Sequence, residues 1–276
     1  MSTSLSGISV QAYTLPSAFL GREVTVDLYR PAVLGRESNP LLLLVNDGQD
    51  LPKMPFAPLF AEVVGRGASL VVAGIHCGTE RLSEYGTAGV PDYEGRGSGA
   101  GRYQQFLCEE LLPALHRWCA VAAFRRCAVA GFSLGGLSAL DTVWEHPELF
   151  SAAGVFSGSL WWRRRALDQG YDEEQDRIMH GKIRSGQYQP GLSFYFTTGS
   201  LDETADRNGN GIIDSIDDTL ALMARLTEKG YSAEHDIRYL NYEDGRHDVA
   251  TWGRAMPGFL EWLVEKGRNI EPMNKE

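Results

Sequence analysis

Residues 128–136 read AVAGFSLGG, in which Gly131, Ser133 and Gly135 satisfy the pattern G-x-S-x-G. The motif follows a short apolar run and precedes a helical pattern, the setting in which a serine is held on a sharp strand-to-helix turn with its hydroxyl above a sheet. Side chains two positions to either side would crowd such a turn. The chemistry on offer is nucleophilic attack on a carbonyl, with the Leu134 amide at the helix start as one donor to the developing oxyanion. The same spacing also suits a glycine-rich turn whose serine only caps the helix. Partners downstream, in the order acid then base, favour the nucleophile. Among six histidines, His247, in the turn EDGRHD after the last strand-like run, is the expected base; His76, at a strand end, is its rival. Asp202 directly follows FYFTT and is the expected acid that would hold the imidazole tautomer. Glu203 and Asp206 are alternatives, and a Ser-His dyad without a close acid is conceivable. A second oxyanion donor is expected from the loop VNDGQD, at Gly48 and Gln49, where glycine lets backbone approach a substrate. A plain Asp-Gly turn would look the same.

These residues need a frame. Ile8 to Leu15 and the alternating Val24, Val26 and Leu28 read as strands, the latter with one wet face. Leu41 to Val45 and Leu70 to Ile75 are continuous apolar runs flanking a helix-like stretch, Phe56 to Val64, as in a buried β-α-β unit. Arg102 to Cys119 carries apolar residues at three- and four-residue steps and predicts one helix despite Pro113. The alternation continues through strand Cys127 to Ala130, helix Leu134 to Trp144, and strands Ala152 to Phe156 and Phe194 to Thr197. Helix Leu220 to Leu226, strand His235 to Leu240 and helix Trp252 to Val264 complete it. The pattern predicts the α/β class: one mostly parallel, doubly wound sheet with helices on both faces, the α/β-hydrolase arrangement. Residues 1–276 are expected to form a single domain, with a lid-like insertion around 161–190.

The 36 acidic and 26 basic residues give a net charge of −10, which offers no overall attraction for nucleic acid or anionic lipid. No apolar run approaches the roughly 20 residues that span a bilayer, and the N-terminus lacks a signal-peptide pattern, so a cytoplasmic protein is expected. Cys77, Cys108, Cys119 and Cys127 show no metal-ligand spacing and read as buried thiols.

Several segments together resemble the "Putative esterase" (esterase D) family of α/β-hydrolases, in particular its enterochelin-esterase-like branch. They are LLLLVNDGQD, the stretch from Arg81 to Pro113, AGFSLGG, FSGSLWW and GRHDVATW. The resemblance implies a carboxylic-ester hydrolase with Ser133 as nucleophile, His247 as base and the acid near Asp202, acting on a small-molecule ester and requiring no cofactor for the chemistry. Members cleave siderophore trilactones or feruloyl and acetyl sugar esters, or transfer acyl groups. Trp161 and Trp162 would then wall the acyl or aryl pocket, with Arg81, Glu84 and Tyr85 nearby, although core packing would also account for the tryptophans. Arg163, Arg164 and Arg165 could hold an anionic substrate or form a solvated turn. A non-catalytic binding protein of the same fold is the reading from another class.

DRNGNGIIDSID, residues 206–217, departs from a plain hydrolase. Asp206, Asn208, Asn210, Ile212 (through its carbonyl), Asp214 and Asp217 fall at the ligand positions of a calcium loop, with Gly211 at its bend. A structural calcium ion bracing the acid loop is one expectation; an Asn/Gly-rich turn capping the next helix is the other.

Overall fold

The computed structural model describes residues 2–5, 7–35 and 38–268. Among the described residues nine strands form one sheet: β1 Ser2–Leu5, β2 Ile8–Ser17, β3 Arg22–Pro31, β4 Leu41–Asn46, β5 Leu70–Ile75, β6 Arg126–Phe132, β7 Ala152–Phe156, β8 Ser193–Leu201 and β9 Ile237–Arg246. Their spatial order is β1-β2-β3-β5-β4-β6-β7-β8-β9. The first three strands and the β3–β5 contact are antiparallel, and all pairings from β5 to β9 are parallel. The helices are α1 Phe56–Gly65, α2 Arg81–Glu84, α3 Ala100–Gln105, α4 Leu112–Cys119, α5 Leu134–Glu145, α6 Glu173–Asp176, α7 Ile178–Ser185, α8 Asp214–Lys229 and α9 Val249–Arg268.

The continuous apolar runs become central strands because both sheet faces are covered. Along β4, Leu41, Leu43 and Val45 pack with Phe56 and Phe60 of α1 and Phe259 and Leu260 of α9. Leu42 and Leu44 join the opposite core, with Leu115 of α4, Leu137 and Leu140 of α5, and Leu222 of α8. Neighbouring residues on a strand point to opposite faces, so a strand with two covered faces has no polar position. This is the α/β-hydrolase fold.

The helix expected over Arg102 to Cys119 is interrupted. A π-helical turn, Phe106–Leu111, separates α3 from α4, and Pro113 lies in the first turn of α4. Proline cannot donate its missing N–H and crowds the carbonyl four residues back, and the wider turn relieves both conflicts without ending the rod. The insertion at 161–190 is built into the body of the protein. Its helices α6 and α7 are joined to α8 by Arg177, whose Nη1 donates to Asp218 Oδ1 at 2.8 Å, and by Ile178, Met179 and Ile183 in the core. Among the described residues, no helix is long and apolar enough to cross a membrane.

Candidate active site

β6 delivers Ser133 to the carboxyl edge of the sheet and α5 leaves from it. Ser133 has φ 53° and ψ −121°, a conformation that L residues rarely adopt and that persists only when surroundings enforce it. The neighbours enforce it here. The Ser133 amide donates to Phe156 O at 2.9 Å, and the Ser159 amide donates to Ser133 O at 3.1 Å. The glycines are required by contact: a Cβ on Gly131 would lie 2.3 Å from Gly135 O, and one on Gly135 would lie 2.8 Å from Asp47 Oδ2. Ser133 Oγ lies 3.4 Å from Ser159 Oγ.

His247 sits between β9 and α9. Its ring stands edge-to-face with Trp252, centroids 5.3 Å apart, and Trp252 stacks in turn on Phe132, the residue before Ser133, at 5.1 Å. Among the described residues His247 has no hydrogen bond to Ser133 or Asp202. Burial depresses the His247 pKa below its ordinary 6.5; Asp202 pulls it back up and Arg81 pushes it further down. Asp202 follows β8. Its Oδ2 accepts from the Gly199 amide at 3.0 Å, whereas its Oδ1 is buried without a partner. A buried carboxylate oxygen left unbonded is costly. The alternatives are engaged elsewhere: Glu203 accepts from the Ser215 amide at 2.6 Å, and Asp206 accepts from the amides of Gly209, Asn210 and Gly211. The rival base His76 is paired with Asp27 at 2.8 Å.

At the end of β4, Asn46 and Asp47 bind the loop to the elbow. Asn46 Nδ2 donates to Gly135 O at 2.8 Å, and Tyr103 Oη donates to Asn46 Oδ1 at 2.6 Å. Asp47 is left-handed, with φ 59° and ψ 41°. Its carboxylate receives Arg81 Nε at 2.8 Å and Nη2 at 2.7 Å. The amides of Leu134, Gly48 and Gln49 have no backbone acceptor among the described residues. Gly48 also has a packing reason to be glycine: a Cβ there would lie 2.1 Å from the Gly74 carbonyl carbon on β5. The Gln49 side chain is turned to Cys77, accepting from its amide at 3.1 Å.

The expected pocket residues divide. Trp161 is half-buried, with Arg96 and Arg163 over its ring at 5.4 and 5.6 Å. Trp162 and Tyr85 are buried, at 1% and 0% exposed. Trp162 packs against Gly86 and Gly97, and the Tyr85 hydroxyl accepts from the Asp47 amide at 3.2 Å. Glu84 pairs with Arg22 at 2.6 Å. Asn46, Asp47, Ser159 and Trp252 belong to the site and were not singled out by sequence; polar residues closing an apolar strand run, as Asn46 and Asp47 close LLLLV, are the signal that marks the first two.

The calcium pattern is only partly assembled. Asn208 Nδ2 and Asn210 Nδ2 donate to the Asp217 carboxylate at 2.9 and 3.2 Å, so Asp206, Asn208, Asn210 and Asp217 converge. Asp214 accepts from the amide of Arg207, in the same loop, at 2.9 Å, and the Ile212 amide donates to Asn210 Oδ1 at 2.8 Å. Among the described residues, no group of three or more His, Cys, Asp or Glu is placed to hold a metal ion.

A strained serine between strand and helix, a histidine on the last loop and an acid after the preceding strand define the α/β-hydrolase class. Residues 17–263 match the family described as "Putative esterase", and the chain belongs to that family. The iron(III) enterobactin esterase of Escherichia coli strain K12 is 28% identical over 162 residues, 55% of this chain and 34% of that protein. The enterobactin esterase of Shigella flexneri, solved in the presence of enterobactin, superposes with a TM-score of 0.69 at 22% identity, over 94% of this chain and 58% of that one. An S-formylglutathione hydrolase from Agrobacterium tumefaciens gives a TM-score of 0.65 at 16% identity, over 96% and 98% of the two chains. This chain thus spans 34% of the curated relative's length and less than two thirds of the Shigella chain.

Proposed function

We propose that this protein is a serine carboxylic-ester hydrolase that works through an acyl-enzyme on Ser133. The observation that carries the reading is the strained Ser133 turn, together with an Asp202 whose charge acts on His247 and whose Oδ1 is buried without a partner among the described residues. In the proposed cycle, His247 takes the Ser133 proton as Oγ attacks the ester carbonyl. The amide of Leu134 and those of Gly48 and Gln49 receive the oxyanion. His247 then protonates the departing alcohol, and water, activated by the same imidazole, releases the acid. Asp202 Oδ1 accepts a hydrogen bond from His247 Nδ1–H in this cycle and stabilises the imidazolium.

Family membership supports ester hydrolysis, and the half-buried Trp161 with Arg96 and Arg163 offers a wall for an aryl or acyl ester, including a siderophore-type lactone. An acyltransferase would share every step until deacylation. The test is labelling by a fluorophosphonate, read by mass spectrometry, together with turnover of short-chain nitrophenyl esters. The expected result is an adduct on Ser133 and a loss of at least about 10⁴-fold in kcat for Ser133→Ala with its melting temperature kept. No adduct and no turnover across acyl chain lengths would replace the hydrolase with a binding protein of the same fold.

A further inference from the structure

We propose that the Arg81–Asp47 ion pair holds the oxyanion loop against the nucleophile turn, making Arg81 a positioning residue for the reaction and not a receptor for an anionic substrate. The inference rests on the esterase reading above and assigns a task to a cation that the chemistry itself leaves unused.

The loop has a mechanical problem. β4 runs straight to Asn46, and the chain must then turn so sharply that the next residue is left-handed at φ 59°. Aspartate tolerates that region better than most residues but does not prefer it. The two amides that follow, Gly48 and Gln49, are the ones needed at the oxyanion, and oxyanion donors act only if fixed before charge develops. Something must therefore pin Asp47. Its carboxylate is 2% exposed by residue, and Arg81 grips both oxygens, at 2.8 and 2.7 Å. Two parallel hydrogen bonds fix orientation as well as distance. The Tyr85 hydroxyl, wholly buried, accepts from the Asp47 amide at 3.2 Å, and the Arg81 guanidinium lies over the Tyr85 ring at 5.2 Å.

The gripped carboxylate is also a spacer. Asp47 Oδ2 occupies the place where a side chain on Gly135 would begin, 2.8 Å from that virtual Cβ. Asn46, the adjacent residue, bonds Gly135 O at 2.8 Å. The donor loop and the first turn of α5, which carries the Leu134 amide, are thereby set against each other through one carboxylate and one carboxamide. With both Nε and Nη2 committed to Asp47, Arg81 has its charge met within the protein.

The two roles for Arg81 separate in steady-state kinetics. Arg81→Gln and Arg81→Lys are compared with the wild-type chain on neutral 4-nitrophenyl acetate and on the anionic mono-4-nitrophenyl succinate, with melting temperatures recorded. Positioning predicts that Arg81→Gln lowers kcat by about 100-fold on both esters with KM within about twofold, since what is lost is transition-state stabilisation. Fluorophosphonate labelling of Ser133 should slow in parallel. Arg81→Lys keeps the charge but not the fork, so an intermediate loss of about tenfold is expected, and it carries the test if Arg81→Gln does not fold. A loss confined to the anionic ester and expressed in KM would overturn the proposal in favour of a substrate receptor, as would an unchanged kcat on both. A wild-type chain that is neither labelled nor active would remove the esterase reading itself, and this proposal with it.

Discussion

In the proposed cycle His247 sets the working pH range, because only its neutral form can take the Ser133 proton. Burial first, and then the Arg81 cation, hold its pKa below 6.5, with Asp202 opposing them. The acid limb of kcat/KM is therefore expected below pH 6.5, with a plateau through neutrality. Removing the cation in Arg81→Gln should move that limb to higher pH, because the imidazolium then loses a repulsive neighbour; the profile of the residual activity is the measurement. Ser159 has no mark in the sequence as a site residue, and for Asn46 and Asp47 the polar close of the LLLLV run marks the place but not the partners. A serine in a G-x-S-x-G pattern announces a turn, but Asp47 owes its importance to a contact with Gly135, 88 positions along the chain, by way of an arginine on α2. Trp162 and Tyr85 illustrate the converse. Their types suit a pocket wall equally well as a core, and only burial separates the two.

Among elements, the β6–Ser133–α5 turn is the least tolerant of change. Gly131 faces the Gly135 backbone, not a flexible side-chain end, so an added methyl there cannot be accommodated by a rotamer shift. Gly131→Ala is expected to destabilise the protein by about 1–3 kcal/mol, as overpacking does, and to lower turnover beyond the loss of folded protein. A denaturant titration alongside turnover checks both halves; wild-type behaviour would show that the turn is not close-packed. The helices and parallel strands themselves were legible because their periods differ: Leu41 to Val45 has no polar position, whereas Trp252, Phe259 and Leu263 recur on one face of α9. The break between α3 and α4 was not, since a π-helical turn changes hydrogen bonding while leaving the apolar stripe nearly intact. Likewise the polarity of 161–190 suggests a lid but does not show that Arg177 within it, and Arg207 beyond it, turn inward to acids. Arg177 meets Asp218, and Arg207 meets both Asp218 and Glu173.

At the scale of the whole molecule, that ionic layer places a histidine where its charged form is disfavoured. His180 is 2% exposed, its Nε2 lies 2.9 Å from Asp218 O, and burial first, then Arg177, hold its pKa down to about 3. The unfolded chain takes up this proton near pH 6.5, whereas the folded one does not until about pH 3. Between those values the unfolded state binds more protons, so this contribution to stability is lost as pH falls, at up to about 1.4 kcal/mol per pH unit. Urea midpoints measured from pH 7 to pH 4 should fall, and His180→Asn should flatten the slope; equal slopes would show that other groups carry it. The sequence by itself determined the sheet's parallel core, the serine turn and the order in which Ser133, Asp202 and His247 occur, because hydrophobic period and turn chemistry are local properties of a chain. Only the tertiary structure decided which side chains meet: that Asn46 bonds Gly135, that Arg177 and Arg207 converge on Asp218, and that Arg81 pairs with Asp47. Contacts between residues distant in sequence depend on how strands and helices are stacked, and no local pattern encodes that.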